Sequence, residues 1–160
     1  MSSYLKLIKQ KQKQRKYLWL LFAFISKFTF GKIELRVERI VHNRKIQLSN
    51  KVAKIYDMKV QSGPFEGMKL SKNPIRKDGN LGCKTLGLYE QEVQDLIVSI
   101  QKSKKRPLFV DIGGGDGFFA IGSVINGLFN ECLVFEILEK ERAALRNNAK
   151  LNGVFGKIKI

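Results

Sequence analysis

The last third of the chain repeats a pattern of short apolar runs and longer amphipathic stretches. The apolar runs have the length of strands, and the stretches between them have the spacing of helices. The predicted order is a strand ending at Asp111, a helix from Gly117 to Leu128, a strand from Glu131 to Phe135, a helix from Glu139 to Leu151 and a third strand begun by Lys157–Ile160. This alternation predicts an α/β fold with a parallel sheet.

The segment before this pattern carries a hairpin signal and one further helix. Gln61–Leu70 has apolar ends around a Gly-Pro pair and a second glycine, which predicts a β-hairpin. Tyr89 and Glu90 open a predicted helix that runs to about Gln101. We expect this helix to pack on the sheet through one apolar face, formed by Val93, Leu96, Ile97 and Ile100.

The N-terminal part has a different composition. Residues 1–80 hold 19 Lys and Arg against 5 acidic residues, and the whole chain carries a net charge of +16. Tyr17–Ile25 is a run of nine apolar residues, shorter than the roughly 20 that span a bilayer. Basic residues beside such a run suit a membrane surface, and a helix that covers the missing half of the domain, with solvated lysines, is the interpretation that we favour. The sequence thus predicts a basic N-terminal extension with a short apolar helix, residues 1–50, and a partial domain, residues 51–160.

The residues between the first two strands carry the candidate chemistry. After Asp111, glycine falls at alternate positions, Gly113, Gly115 and Gly117. Such a turn lets a ligand approach bare backbone, and the crevice beyond the strand ends is the usual ligand site of an open α/β sheet. Glu136 follows the second strand, 25 positions after Asp111. The sequence therefore predicts two acids and a glycine turn at one edge of the sheet.

This pattern, Asp-x-Gly-x-Gly-x-Gly with an acid at the tip of the next strand, resembles the class I S-adenosylmethionine-dependent methyltransferases. The resemblance implies a Rossmann-like, doubly wound sheet of which this chain carries the N-terminal part. It also implies that Gly113, Gly115 and Gly117 lie against the methionine part of the donor, that Asp111 faces its ammonium and that Glu136 accepts hydrogen bonds from both ribose hydroxyls. S-adenosylmethionine is then the cofactor, and its chemistry needs no metal.

Two motifs upstream narrow the resemblance. Two short motifs precede the glycine turn: GPF-GMK, which begins at Gly63, and LG-YE-E, which begins at Leu86. Their order is similar to that in the FkbM-like methyltransferases, and the resemblance covers about Val60 to Ile160. Members of that family mostly methylate oxygen on sugars or secondary metabolites, which implies a glycan or small-molecule acceptor. In that case Tyr89 and Glu90 edge the donor pocket. Their other interpretation is a plain helix start.

A chain of 160 residues is too short to supply the whole sheet of such a methyltransferase. We expect the adenine-side loop, the remaining strands and most of the acceptor pocket to lie beyond Ile160, so that the chain is a C-terminally truncated methyltransferase. No catalytic base is assigned. We expect the 160 residues alone to be poorly soluble and not to turn over. A complete small domain is the alternative.

Three other functions stay open. Gly115–Ala120 fits the dinucleotide fingerprint G-x-G-x-x-G/A, which indicates an NAD-binding oxidoreductase. A dinucleotide brings pyrophosphate to the helix N-terminus, and Asp111 and Asp116 would repel it while tolerating an ammonium and a sulfonium. The positive charge keeps nucleic-acid methylation open, although no acceptor motif of base methyltransferases is visible. The third alternative is an inactive methyltransferase remnant.

The cysteines and the histidine add little chemistry. Cys83 and Cys132 form no pair pattern, and His42, the only histidine, has no partner at ligand spacing. No metal site is therefore predicted, and the cysteine usage indicates a reducing compartment. This predicts a cytoplasmic protein, and the basic N-terminus leaves a weak contact with the membrane surface open.

Overall fold

The computed structural model describes residues 2–72, 74–75 and 78–160. The chain divides into two compact units, Met1–Arg44 and Lys45–Ile160. Every candidate site residue belongs to the second unit.

Helix α1 runs without a break from Ser2 to Ile55, over 54 residues. The sequence predicts only a short apolar helix here. The longer helix has a physical reason, because the segment lacks proline, contains one glycine, and is rich in lysine, glutamine, arginine and leucine, which favour helices. Within the apolar run, the side chains of Trp19 and Phe24 are each 69% exposed.

The proposed membrane-surface contact depends on basic residues near the N-terminus. The side chains of residues 2–16, which include six lysines and arginines, lie outside the described residues. Among the helices that are described, none has an apolar stretch long enough to cross a membrane.

The predicted hairpin is reduced to one antiparallel bridge, between Lys59 and Lys69. The chain between them forms turns instead of strands. Gly63 and Gly67 explain this difference, because their φ angles of +84° and +87° bend the backbone twice within a few residues.

Two helices precede the sheet. The sequence did not predict α2 (Leu81–Leu86), whereas α3 (Gln91–Ser103) corresponds to the predicted helix. The buried residues of α3 are Gln94 and Ile97, and the Gln94 side-chain amide donates to the Tyr89 carbonyl oxygen at 2.6 Å. The inward face is therefore centred on Gln94. Three of the four residues expected to pack on the sheet are exposed instead, Val93 at 42%, Leu96 at 58% and Ile100 at 48%.

Three parallel strands form an open sheet in the order β1 (Leu108–Ile112), β2 (Glu131–Phe135) and β3 (Ile158–Lys159). Helix α4 (Phe118–Ile125) connects β1 to β2, and α5 (Glu139–Leu151) connects β2 to β3. The predicted α/β class with a parallel sheet is confirmed. Helix α4 ends earlier than expected because Gly127, with φ +71°, has already left it. Ile112 pairs with Phe135, so β1 and β2 end at the same edge.

One side of the sheet faces the core. Cys132, Val134 and Ile158 are buried on this side. They belong to one cluster with residues of the two connecting helices, Ala120, Ile121, Val124, Leu145 and Ala149. A Cβ at Gly122 would lie 2.4 Å from the ring of Phe65. Glycine at this helix position therefore lets α4 pack directly on the turn between the two bridged residues, Lys59 and Lys69.

The other side of the sheet is open to solvent. The outward residues of β1 are Leu108, Val110 and Ile112, which are 41%, 47% and 83% exposed, and Phe135 of β2 is 53% exposed. Right-handed crossovers place α4 and α5 on the same side of the sheet. Parallel sheets normally bury both faces, whereas the residues that the structure describes leave this apolar sheet face without a second layer.

We predict that Ile112→Lys reduces self-association and leaves stability nearly unchanged. The side chain is already in solvent, so the free energy of unfolding should change by less than about 0.5 kcal/mol. Light scattering over a protein concentration series measures the first effect and thermal unfolding the second. The control is Ile158→Lys, on the buried side at 7% exposure, which should unfold the chain because an unpaired charge is buried. Equal loss of stability in both variants would mean that the open face is covered.

Candidate functional site

The turn between β1 and α4 is built from left-handed glycines. Gly113, Gly115 and Gly117 have φ angles of +83°, +54° and +89°, a region that other residues rarely adopt. The Gly113 N–H donates to the Phe135 carbonyl oxygen at 2.7 Å, and the Gly117 N–H donates to the Gly114 carbonyl oxygen at 2.9 Å. The turn is therefore fixed to the end of β2 before α4 begins.

The glycines of this turn differ in their surroundings. A Cβ at Gly114 would lie 2.4 Å from a methyl of Val134, and a Cβ at Gly117 would lie 2.9 Å from Leu145 Cγ. Packing alone thus explains glycine at both positions, one of which, Gly114, the sequence did not single out. A Cβ at Gly113 would meet no described atom within 4 Å. Gly113 is the position where bare backbone faces open space.

Glu136 joins the end of β2 to the glycine turn. Its Oε2 accepts the Gly115 N–H at 2.9 Å, and its Oε1 accepts the Leu138 N–H at 2.8 Å. Arg142 donates to the Glu136 carbonyl oxygen at 2.6 Å. The acid predicted to hold a ribose therefore also holds the turn. Ribose hydroxyls would add to these hydrogen bonds or replace them.

Asp111 is half-buried beside the turn. Its Oδ2 is buried and accepts no hydrogen bond from a described residue. Burial raises the pKa of Asp111 above its ordinary value, a hydrogen bond with the Ala120 backbone opposes the rise, and the charge of Glu136 adds to it. A cation bound beside this carboxylate would lower the pKa again and supply the missing partner.

Asp116 is paired within the structure. Both of its carboxylate oxygens lie 3.2 Å from Lys84 Nζ, and the Lys84 ammonium lies 5.0 Å from the ring centre of Phe118. Lys84 therefore weakens the repulsion that we expected between Asp116 and a pyrophosphate. Asp111 and Glu136 remain as the carboxylates that border the turn.

Tyr89 and Glu90 stand at the start of α3. The Tyr89 ring packs edge-on against Phe118, with 5.4 Å between ring centres. Burial and a hydrogen bond to Glu90 raise the pKa of Tyr89 to about 12. Glu90 precedes α3 in a left-handed conformation, with φ +46°. The structure thus places Tyr89 against the first residue of α4, and Glu90 is exposed beside it.

The described part of the chain holds no group of three or more His, Cys, Asp or Glu residues arranged to bind a metal ion. Cys83 is exposed and Cys132 is buried, and both are free thiols. Burial raises the pKa of Cys132 to about 12, and the charge of Asp111 adds to the rise. This thiol therefore stays protonated and unreactive at neutral pH.

In comparisons with known proteins, no family model, no curated protein and no solved structure matches the chain. Function is therefore inferred from the glycine turn, the acids beside it and the parallel sheet that positions them. All of these features lie in the unit Lys45–Ile160.

Proposed function

We propose that this chain is a class I, FkbM-like, S-adenosylmethionine-dependent methyltransferase that acts on an oxygen of a sugar or small metabolite. The proposal rests on one observation: β1 and β2 end at the same edge of the sheet. There, the open backbone of Gly113 lies in a turn bordered by the carboxylates of Asp111 and Glu136.

The parts of the donor match three features of this edge. Its ammonium offers the hydrogen bond that the buried Oδ2 of Asp111 does not receive from any described residue. The open backbone at Gly113 lets the methionine chain lie close. Glu136, at the tip of the second parallel strand, accepts hydrogen bonds from ribose hydroxyls. These residues therefore bind the donor at its ammonium and at its ribose, and they fix the position of the sulfonium methyl group between the two.

Positioning is the main catalytic contribution of such residues. When bound, the donor supplies an electrophilic methyl group whose transfer to a hydroxyl leaves the bonding electron pair on sulfur and releases the hydroxyl proton. Asp111 and Glu136 add negative charge beside the cationic donor, which favours its binding over that of its neutral product.

A dinucleotide fits this edge less well. Its pyrophosphate would bring further negative charge near Asp111, where burial and Glu136 already disfavour the ionised form. An ammonium at the same place has the opposite effect. The charges at the turn therefore favour a cationic ligand over an anionic one.

Calorimetric titration separates the two ligands. We expect saturable binding of S-adenosylmethionine to the full chain, and binding of NADH that is about tenfold weaker or more, because each hydrogen bond to a charged group contributes about 1.5–3 kcal/mol. S-adenosylhomocysteine, which keeps the ammonium and the ribose, is the matched control and should also bind. Tighter binding of NADH than of both methionine compounds would contradict the proposal.

A further inference from the structure

A cavity lies between helix α5 and the segment that begins at Met68. It is separate from the edge where β1 and β2 end. Its volume is about 340 Å³, near the lower end of the range for small-molecule sites, which suits a ligand of monosaccharide size. Buried apolar side chains line part of it, those of Met68, Leu70 and Phe118. Asn147 of α5 adds an exposed amide.

The walls of this cavity are held by hydrogen bonds. The Lys69 N–H donates to Asn152 Oδ1 at 2.7 Å, and Asn152 Nδ2 donates back to the Lys69 carbonyl oxygen at 2.9 Å. On the other wall, Asn148 Nδ2 donates to the Asp116 carbonyl oxygen at 2.8 Å. These bonds fix both the bridge segment and the glycine turn to α5. The parts of the cavity wall at Lys69 and Asp116 are therefore held in place without a ligand.

The described charged side chains that line the cavity are three lysines and two aspartates. Asp116 is paired with Lys84, and the Asp78 carboxylate accepts two hydrogen bonds from Asn80, at 2.9 and 3.0 Å. Lys69 and Lys140 also line the cavity, are exposed, and form no ion pair with any residue that the structure describes. The net charge of these five side chains is therefore +1, and the positive charges outside the Lys84–Asp116 pair lie on the exposed Lys69 and Lys140.

We propose that this cavity binds an anionic, hydroxylated molecule of monosaccharide size, such as a sugar phosphate or a sugar acid. Lys69 and Lys140 attract the phosphate or carboxylate. The Asn147 amide hydrogen-bonds a hydroxyl, and Phe118 and the neighbouring apolar side chains cover the apolar face of the ring. The inference goes beyond the proposed methyl transfer and does not depend on it, because among the described residues that line the cavity only Asp116 belongs to the glycine turn.

Four probes test the proposal on the full chain without a methyl donor: glucose 6-phosphate, glucuronate, glucose and inorganic phosphate. Calorimetry should show saturable binding of at least one anionic sugar, with a Kd that is millimolar or tighter. The Kd values of glucose and of phosphate should be about tenfold or more higher, because each of these probes lacks one half of the contacts. Tighter binding of glucose 6-phosphate identifies phosphate as the preferred anion, and tighter binding of glucuronate identifies a carboxylate.

Variants locate the binding. Lys140→Gln removes a cation, and Ala143→Trp fills the cavity from the exposed side of α5; each should raise Kd about tenfold or more. Lys157→Gln, an exposed lysine outside the cavity, is the matched control and should leave Kd unchanged. Thermal unfolding checks that all three variants fold. The proposal is overturned if neither anionic sugar binds at millimolar concentration, or if folded Lys140→Gln and Ala143→Trp bind as the wild type does.

Discussion

Asp111→Asn is expected to remove most of the affinity for S-adenosylmethionine and to stabilise the unliganded chain at neutral pH. The variant keeps the size of the side chain and loses its charge. The donor ammonium then loses a charged partner, which should weaken binding by about ten- to a hundredfold. Without the donor, the same charge is unfavourable, because Oδ2 is buried and lacks a hydrogen-bond donor among the described residues.

The stabilising effect of Asp111→Asn should depend on pH in a defined direction. The folded state raises the pKa of Asp111, so the wild type loses stability as pH rises from the ordinary carboxyl pKa, about 3.9, through the raised value. The variant has no such titration. Its advantage in the free energy of unfolding should therefore be smallest near pH 3, grow across this window and level off towards neutral pH.

Denaturant unfolding at several pH values and calorimetry with the donor measure the two effects. Asp95→Asn, which changes an exposed acid of α3, is the control and should alter neither quantity appreciably. An Asp111→Asn variant that binds the donor as the wild type does would remove Asp111 from the site. A variant that is less stable at pH 7 than at pH 3, relative to the wild type, would contradict the account of its burial.

Replacement of Glu136 is expected to separate a structural role from a binding role. Glu136→Gln keeps one oxygen that can accept the N–H of Gly115 and gives up the bond to the N–H of Leu138, which water replaces because Leu138 is exposed. Glu136→Ala also leaves the N–H of Gly115, at a buried residue, without its partner. The alanine variant should lose about 1–3 kcal/mol of unfolding free energy and the glutamine variant little. Both should bind the donor more weakly, because each loses a charged acceptor for the ribose.

Glu131→Ala is the control for this pair, since Glu131 lies at the other end of β2 in an exposed ion pair with Lys159. Exposed pairs contribute at most about 1 kcal/mol, and the donor does not reach this end of the strand. Unchanged donor affinity in Glu136→Gln would assign Glu136 to the turn alone. Equal stability of the alanine and glutamine variants would show that the hydrogen bond to Gly115 does not hold the turn.

Local patterns predicted the elements that later carry the site. The bounds predicted for β2 and α5, Glu131–Phe135 and Glu139–Leu151, agree with the structure, because an apolar run bounded by polar residues and an Asn-Gly stop act within a few residues. The alternating glycines after Asp111 likewise predicted a tight turn between strand and helix, and the structure has one, in which these glycines adopt positive φ angles.

Features that depend on distant residues were not predictable in this way. The ion pair of Asp116 joins it to Lys84, 32 positions earlier, and glycine at 117 is required by Leu145 of α5. Neither partner stands out in the local sequence. The exposed face of α3 has a similar origin, because periodicity shows that a helix is amphipathic and does not show which of its faces meets the core.

The most direct test of the donor site compares S-adenosylmethionine binding by the wild type, Gly113→Ala and Gly153→Ala. Both glycines have positive φ, +83° and +68°, and a Cβ at either meets no described atom within 4 Å, so the backbone strain is matched and the two variants should unfold at similar temperatures. Only Gly113 lies where the donor is proposed to approach. We predict that Gly153→Ala binds S-adenosylmethionine with wild-type affinity and that Gly113→Ala binds it about tenfold or more weakly. Equal affinity in both variants, or no binding by the wild type, would contradict it.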